Sequence, residues 1–170
     1  MSLTPTQKKK IRAAITDYCI RAEAARLNRG YSQRRPGLGY GLEPEHVQID
    51  DCSMFDSKVI YWAGHKTKIL LPDPLGYGFS GYGNTETMQE HLKHAAPIDK
   101  YLVGDIALWG PNSWDTHHTA ICRKAGTRKT AIFTSHGHQS SRFSADAPEP
   151  VTLATFPQHL IGVYRLPELR

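Results

Sequence analysis

Asp51-Cys52-Ser53-Met54-Phe55-Asp56-Ser57-Lys58-Val59-Ile60-Tyr61-Trp62 is the stretch around which the rest of the chain is organised. It reads as an acidic residue, a thiol, and then an apolar helix. Val59, Ile60 and Trp62 carry the apolar pattern, and Gly64 stands where a helix stop belongs. Asp51 can cap this helix by accepting a hydrogen bond from a free backbone N–H. Cys52 then falls in the first turn, where unpaired N–H groups and the positive end of the helix dipole favour a thiolate. The thiolate is the attacking form of cysteine, so the position marks Cys52 as a candidate nucleophile. The competing reading is a small buried residue, as most free cysteines are.

Upstream, Thr4-Pro5 opens a first helix, with Thr4 as cap and proline at the first helical position. Ile11, Ala14, Ile15, Tyr18, Cys19 and Ala22 form one apolar stripe at helical spacing, which makes Cys19 a core residue. Gly30 is the expected end of that helix. Residues 31–50 are rich in Gly, Pro and Arg and read as a loop lining a cleft before Cys52. A second Gly-rich loop at 72–83 carries Tyr77, Phe79 and Tyr82, and a short helix follows from Thr85 to His94.

Downstream, five strand-like runs appear at 105–109, 118–123, 130–136, 151–156 and 161–166. Helices followed by a run of strands imply an α+β fold, with the N-terminal helices packed on a central antiparallel sheet of about five strands. The 170 residues suit one catalytic domain spanning 1–170. Composition is that of a globular protein, at 39% hydrophobic and 22% charged. The net charge of +5 suits an anionic partner such as nucleic acid or a bacterial wall. Three widely spaced cysteines without a CxxC pair indicate neither a zinc ribbon nor a disulfide framework. The start, Met1 to Lys10, is polar and basic, and no long apolar segment follows. The expectation is therefore synthesis in a cytoplasm without a signal peptide, and no membrane partner.

Four of the nine histidines fall between positions 117 and 138. If residues 125–129 form a five-residue loop, His118 falls opposite His136 in an antiparallel pair. Opposed residues share a face with Cβ atoms roughly 5 Å apart, so the two imidazoles would touch. Cys52, His118 and His136 then supply nucleophile, base and orienting residue in chain order. The oxyanion would be held by the Cys52 backbone N–H and a donor from the preceding loop, with Tyr31 as candidate. Asp51 and Ser53 complete the candidate substrate and oxyanion surroundings.

Four segments in this order resemble the NlpC-type peptidoglycan peptidases: Asp51-Cys52-Ser53-x-Phe55, Val103-Gly104-Asp105-Ile106-Ala107, His118-Thr119-Ala120-Ile121 and Ser135-His136-Gly137. An upstream Tyr31-Ser32-Gln33-Arg34-Arg35-Pro36 is similar to a stretch in the N-terminal peptidase domains of actinobacteriophage lysins. The resemblance covers residues 10 to 140 and implies a circularly permuted papain-like fold. It implies a monomer acting on bacterial peptidoglycan, made in the host and working on the wall after release or as part of a virion. It implies no cofactor or metal. Cys52 would be the nucleophile, His118 the base and His136 the orienting residue, with Tyr31 near the oxyanion. Met54 departs from the glycine usual after Ser53, and Tyr31 lies farther upstream than usual, which leaves Tyr40 as an alternative.

Three rival readings remain. A zinc-dependent wall hydrolase would use some of Asp115, His117, His118, His136 and His138, but neighbouring strand residues point to opposite faces. A catalytically silent wall-binding module would not need the Cys-His-His set. A nucleic-acid binder is disfavoured because no Arg/Lys stripe interleaves with aromatics. Within the cysteine reading, an amide of the stem peptide is the expected bond, with the sugar–alanine amide second. Glycan cleavage is disfavoured because Asp50 and Asp51 are neighbours that an extended segment points apart.

Overall fold

Helix α1 (Pro5–Ala24) begins at a reciprocal cap in which Thr4 Oγ1 accepts from Gln7 N–H at 3.3 Å and Gln7 Oε1 accepts from Thr4 N–H at 2.9 Å. Its buried residues are Ile11, Ala14, Ile15, Tyr18, Cys19 and Ala22, the stripe expected from spacing. The computed structural model describes residues 3–31, 42–46, 48–69, 71, 85–92, 98–111, 117–137, 147–154 and 159–170. The Tyr77, Phe79 and Tyr82 loop and Tyr40 lie outside these residues.

Gly30 does not end α1. The helix stops at Ala24, tightens into a 3-10 turn over Arg26–Asn28, and enters strand β1 (Arg29–Tyr31). Strand β1 pairs in parallel with β2 (Gln48–Asp50), setting Gly30 against Ile49 and Tyr31 against Asp50. The expected loop of 31–50 is thus pinned at both ends, and β2 feeds directly into the thiol helix.

Helix α2 (Cys52–Thr67) starts where the sequence places it, with Asp51 as cap. It runs through Gly64, the expected stop, and closes at Lys68, which adopts the left-handed conformation with φ 58°. The Lys68 and Ile69 N–H groups satisfy the last carbonyls of the helix, so a lysine does the work usually left to glycine. Residues Cys52 to Ile60 are all buried, because α2 lies between α1 and the sheet. Tyr18 of α1 meets Phe55 and Trp62 of α2 edge to face, with ring centroids 6.0 and 5.4 Å away.

The sheet contains β3 (Ile106–Trp109), β4 (His118–Lys124), β5 (Ile132–His136), β6 (Pro148–Val151) and β7 (Leu160–Tyr164), in the order β6-β5-β4-β3-β7. Every neighbouring pair is antiparallel. The fold is α+β with a five-stranded antiparallel sheet, as expected. The fourth strand begins at Pro148, earlier than the expected 151–156. Its two prolines are tolerated because β6 is an edge strand, where a missing N–H costs no inner ladder bond. Ile106, Leu108 and Ile121 face the helices, whereas Ala107, Trp109, Ala120, Cys122 and Phe133 face the other side. Helix α3 (Thr85–Leu92) buries Met88 and Leu92. Among the described residues no helix is long and apolar enough to cross a membrane.

Two further ties fix the frame of the site. Glu23 of α1 accepts from Thr134 Oγ1 at 2.7 Å and from Arg123 Nε at 2.8 Å, bolting α1 to β5 and β4. Gly104, at φ 90°, leads into β3 with its Cα so close to Ile15 and Leu169 that a Cβ would meet both side chains. Asp105 then takes a two-pronged ion pair from Arg165, both contacts at 2.8 Å. The Val103-Gly104-Asp105 segment is structural in this chain.

Candidate active site

The first turn of α2 holds the thiol. Asp51 Oδ1 accepts from Met54 N–H at 2.8 Å and from Ser53 Oγ at 2.9 Å. Asp51 and Ser53 are buried, and their observed role is to cap the helix and to hold each other. Cys52 is buried as well, and its sulfur receives backbone N–H groups from Ser53 and from Thr119 of β4. The thiol therefore lies against the strand residue that follows His118.

Burial pushes the Cys52 thiol up to about 12, and the neighbouring Asp51 carboxylate adds to the rise. The two N–H groups pull the other way but lose. The expected thiolate is thus corrected to a protonated resting thiol. The reason is that a helix N-terminus stabilises charge by a fraction of what full desolvation takes away.

The histidine pairing also differs from expectation. Thr127 to Thr130 form a hydrogen-bonded turn, with Thr130 and Ala131 N–H both donating to Thr127 O and Thr127 N–H donating to Thr130 Oγ1. Gly126 is drawn away to bridge Tyr101. The connection is therefore longer than five residues, and a bulge between Cys122 and Lys124 adds a further shift. The ladder then pairs Cys122 with Phe133 and Ala120 with Ser135. Continuing that register sets Thr119, not His118, beside His136. The expected side-by-side contact of His118 and His136 is overturned, because a one-residue slip sends them to opposite faces.

Each histidine has a different setting. His118 lies beside Trp109, its cross-strand partner on β3, with the rings tilted by 47° and their centroids 5.9 Å apart. Its Nε2 lies 2.6 Å from Ser135 Oγ, and both side chains are buried. Burial, and secondarily the nearby His136, lower its pKa to about 3, so His118 is neutral at rest. His136 lies on the helix face, with Phe55 and Tyr31 at centroid distances of 5.6 and 5.7 Å. Its Nε2 approaches Asp50 Oδ1 at 2.8 Å, while the ring N–H direction meets Gly30 O at 3.3 Å. The contact with Asp50 is thus a close approach rather than a linear hydrogen bond. Asp50 Oδ2 also holds Lys58 Nζ at 3.0 Å, and Asp50, Lys58 and His136 are all buried.

Tyr31 is brought to His136 and Gly137. Gly137 has φ 121°, and a Cβ there would stand 2.3 Å from the Tyr31 ring. Only glycine lets this aromatic seat close. Ser135, Asp50, Lys58 and Asp56 are the site residues missed in the sequence. The available signal was polar residues inside the buried turns of the thiol helix, and Asp56 four residues beyond Cys52. Of the zinc candidates, Asp115 and His138 lie outside the described residues. His117 is exposed, and His118 and His136 leave opposite faces. Among the described residues no group of three or more His, Cys, Asp or Glu is arranged to hold a metal ion.

The arrangement offers a thiol, a neutral imidazole fixed by a serine, and backbone N–H groups at the sulfur. No family model matches the chain, and neither a curated protein nor a solved structure matches it.

Proposed function

We propose that this chain is a cysteine hydrolase of the NlpC type, with a permuted papain-like arrangement, which cuts an amide in the stem peptide of bacterial peptidoglycan. One observation carries the reading: Cys52 opens a capped helix with its sulfur on the β4 residue next to a neutral, buried His118. A neutral imidazole is the form that accepts a proton, and a protonated thiol is the form that needs a base.

When Nε2 of His118 donates to Ser135, Nδ1 holds the lone pair. His118 is the first residue of β4 and its side chain leaves the face away from α2, so it would take the Cys52 proton at Nδ1 around the strand end as the sulfur attacks the amide carbonyl. The tetrahedral intermediate collapses, the C–N bond breaks, and His118 returns the proton to the leaving amine. Water, deprotonated by the same nitrogen, then hydrolyses the thioester and restores the thiol. Backbone N–H groups at the start of α2 would stabilise the oxyanion. Because both partners start neutral, proton transfer accompanies attack. Ser135 takes over the orienting role that the sequence gave to His136. His136, packed on Tyr31 and Phe55 and close to the Asp50 that holds Lys58, forms a separate buried cluster on the helix face.

The +5 charge suits the carboxylates of the stem peptide and the wall polymers around it. The sugar–alanine amide is the second candidate bond for the same chemistry. The test is digestion of purified wall, assayed for new amino groups and new reducing ends. New amines with peptide fragments are expected. Reducing ends without amines would show a glycosidase and overturn the reading.

A further inference from the structure

Asp56 is a carboxyl in the middle of a buried helix. It lies four residues after Cys52, so the two side chains share one side of α2, a turn apart. Asp56 Oδ2 accepts a hydrogen bond from Thr119 Oγ1, while Oδ1 has no hydrogen-bond partner among the described residues. Both residues are fully buried. An apolar side chain would fill this position without the cost of desolvating a carboxyl, so its presence calls for a reason. The Thr119 backbone supplies one, because its N–H is directed at the Cys52 sulfur.

We propose that Asp56 and Thr119 are a positioning pair for the nucleophile: their side-chain bond locks β4 to the first turns of α2 and holds the Thr119 N–H on the Cys52 sulfur. This deepens the cysteine reading and rests on it. Three linked contacts carry it, namely Asp56 to Thr119 through side chains, Thr119 to Cys52 through the backbone, and Cys52 to Asp56 through one helix turn. Burial holds the Asp56 carboxyl well above its ordinary range, with Asp51 and Asp50 adding to the rise, so a neutral Asn is a fair replacement.

The experiment is the rate of Cys52 alkylation by iodoacetamide against pH, read peptide by peptide with mass spectrometry. Wall digestion is measured in parallel. Thr119→Val removes the hydroxyl with little change in shape. It is expected to slow Cys52 alkylation about tenfold at a fixed pH, the effect of one lost hydrogen bond. It should also lower kcat with little change in KM. Asp56→Val should act in the same direction, and the double variant should match either single one. Thr119→Ser and Asp56→Asn should rescue the wild-type profile.

A folded Thr119→Val with the wild-type alkylation profile would overturn the proposal and leave the pair as a structural tie. If Thr119→Val does not fold, Asp56→Val with an unchanged profile overturns it equally. The alkylation profile needs no wall activity. A wild-type protein that digests no wall would therefore sink the hydrolase reading while the profile still decides the positioning claim.

Discussion

Thiol reactivity at Cys52 is the first quantity to measure, because sequence and structure disagree on it. Burial raises this thiol from an ordinary 9.0 to about 12. Only the thiolate reacts with iodoacetamide, so the thiolate fraction sets the rate. At pH 8 an ordinary thiol is about a tenth ionised, whereas one near 12 is ionised to about one part in ten thousand, a ratio on the order of 1,000. Cys52 should thus react about 1,000-fold more slowly in the folded protein than in denaturant, and its rate should climb about tenfold per pH unit to pH 11. Cys19 and Cys122 are also buried with raised values, so each site must be followed by its own peptide. A folded-state rate that levels off below pH 8 would refute the reasoning. It would mean that the helix terminus outweighs desolvation, and that Cys52 rests as a thiolate.

Other perturbations test the surroundings of the thiol. Asp50→Ala leaves the buried Lys58 ammonium without its carboxylate, 3.0 Å away in the wild type; a loss of about 3–5 kcal/mol is expected by denaturant unfolding, largely recovered in Asp50→Asn with Lys58→Met. Ser135→Ala should lower kcat about tenfold to a hundredfold in a wall-digestion assay without moving the melting temperature by more than a few degrees, because it frees the imbalanced end of the His118 ring. His118 titrates near 6.5 when unfolded and near 3 when folded, so the unfolded chain binds more protons between those values. This group's contribution to stability is present above 6.5 and is lost as pH falls toward 3; His118→Gln should flatten that part of the stability curve, measured by unfolding at pH 4 and pH 7.

Much of this was legible in the residues. Thr4-Pro5, the six-residue stripe of α1, and Asp51 as the cap of α2 follow from local chemistry, which tertiary contacts reinforce. Four of the five strand runs also read correctly, because their apolar density matches a sheet buried on both faces, whereas the run expected at 151–156 meets β6 only at Val151. Register was not legible. It hung on whether residues 125–129 make a simple loop, and Thr127 to Thr130 form a turn of their own instead. Strands β1 and β2 have three residues each and are fixed by pairing across a long sequence gap, so no periodicity announces them. Asp50 and Asp51 do point apart, as expected, one to Lys58 and His136 and the other to its own helix. The ionisation of Cys52 was misjudged because burial, the larger effect, is invisible to a local reading.

The most direct test of the central claim is turbidity loss of a purified wall suspension with wild-type protein and Cys52→Ala, each shown by melting to be folded. Clearing by the wild type and none by the variant is the predicted result. Equal clearing by a folded Cys52→Ala would contradict the account, since the reading assigns the attack to the Cys52 sulfur.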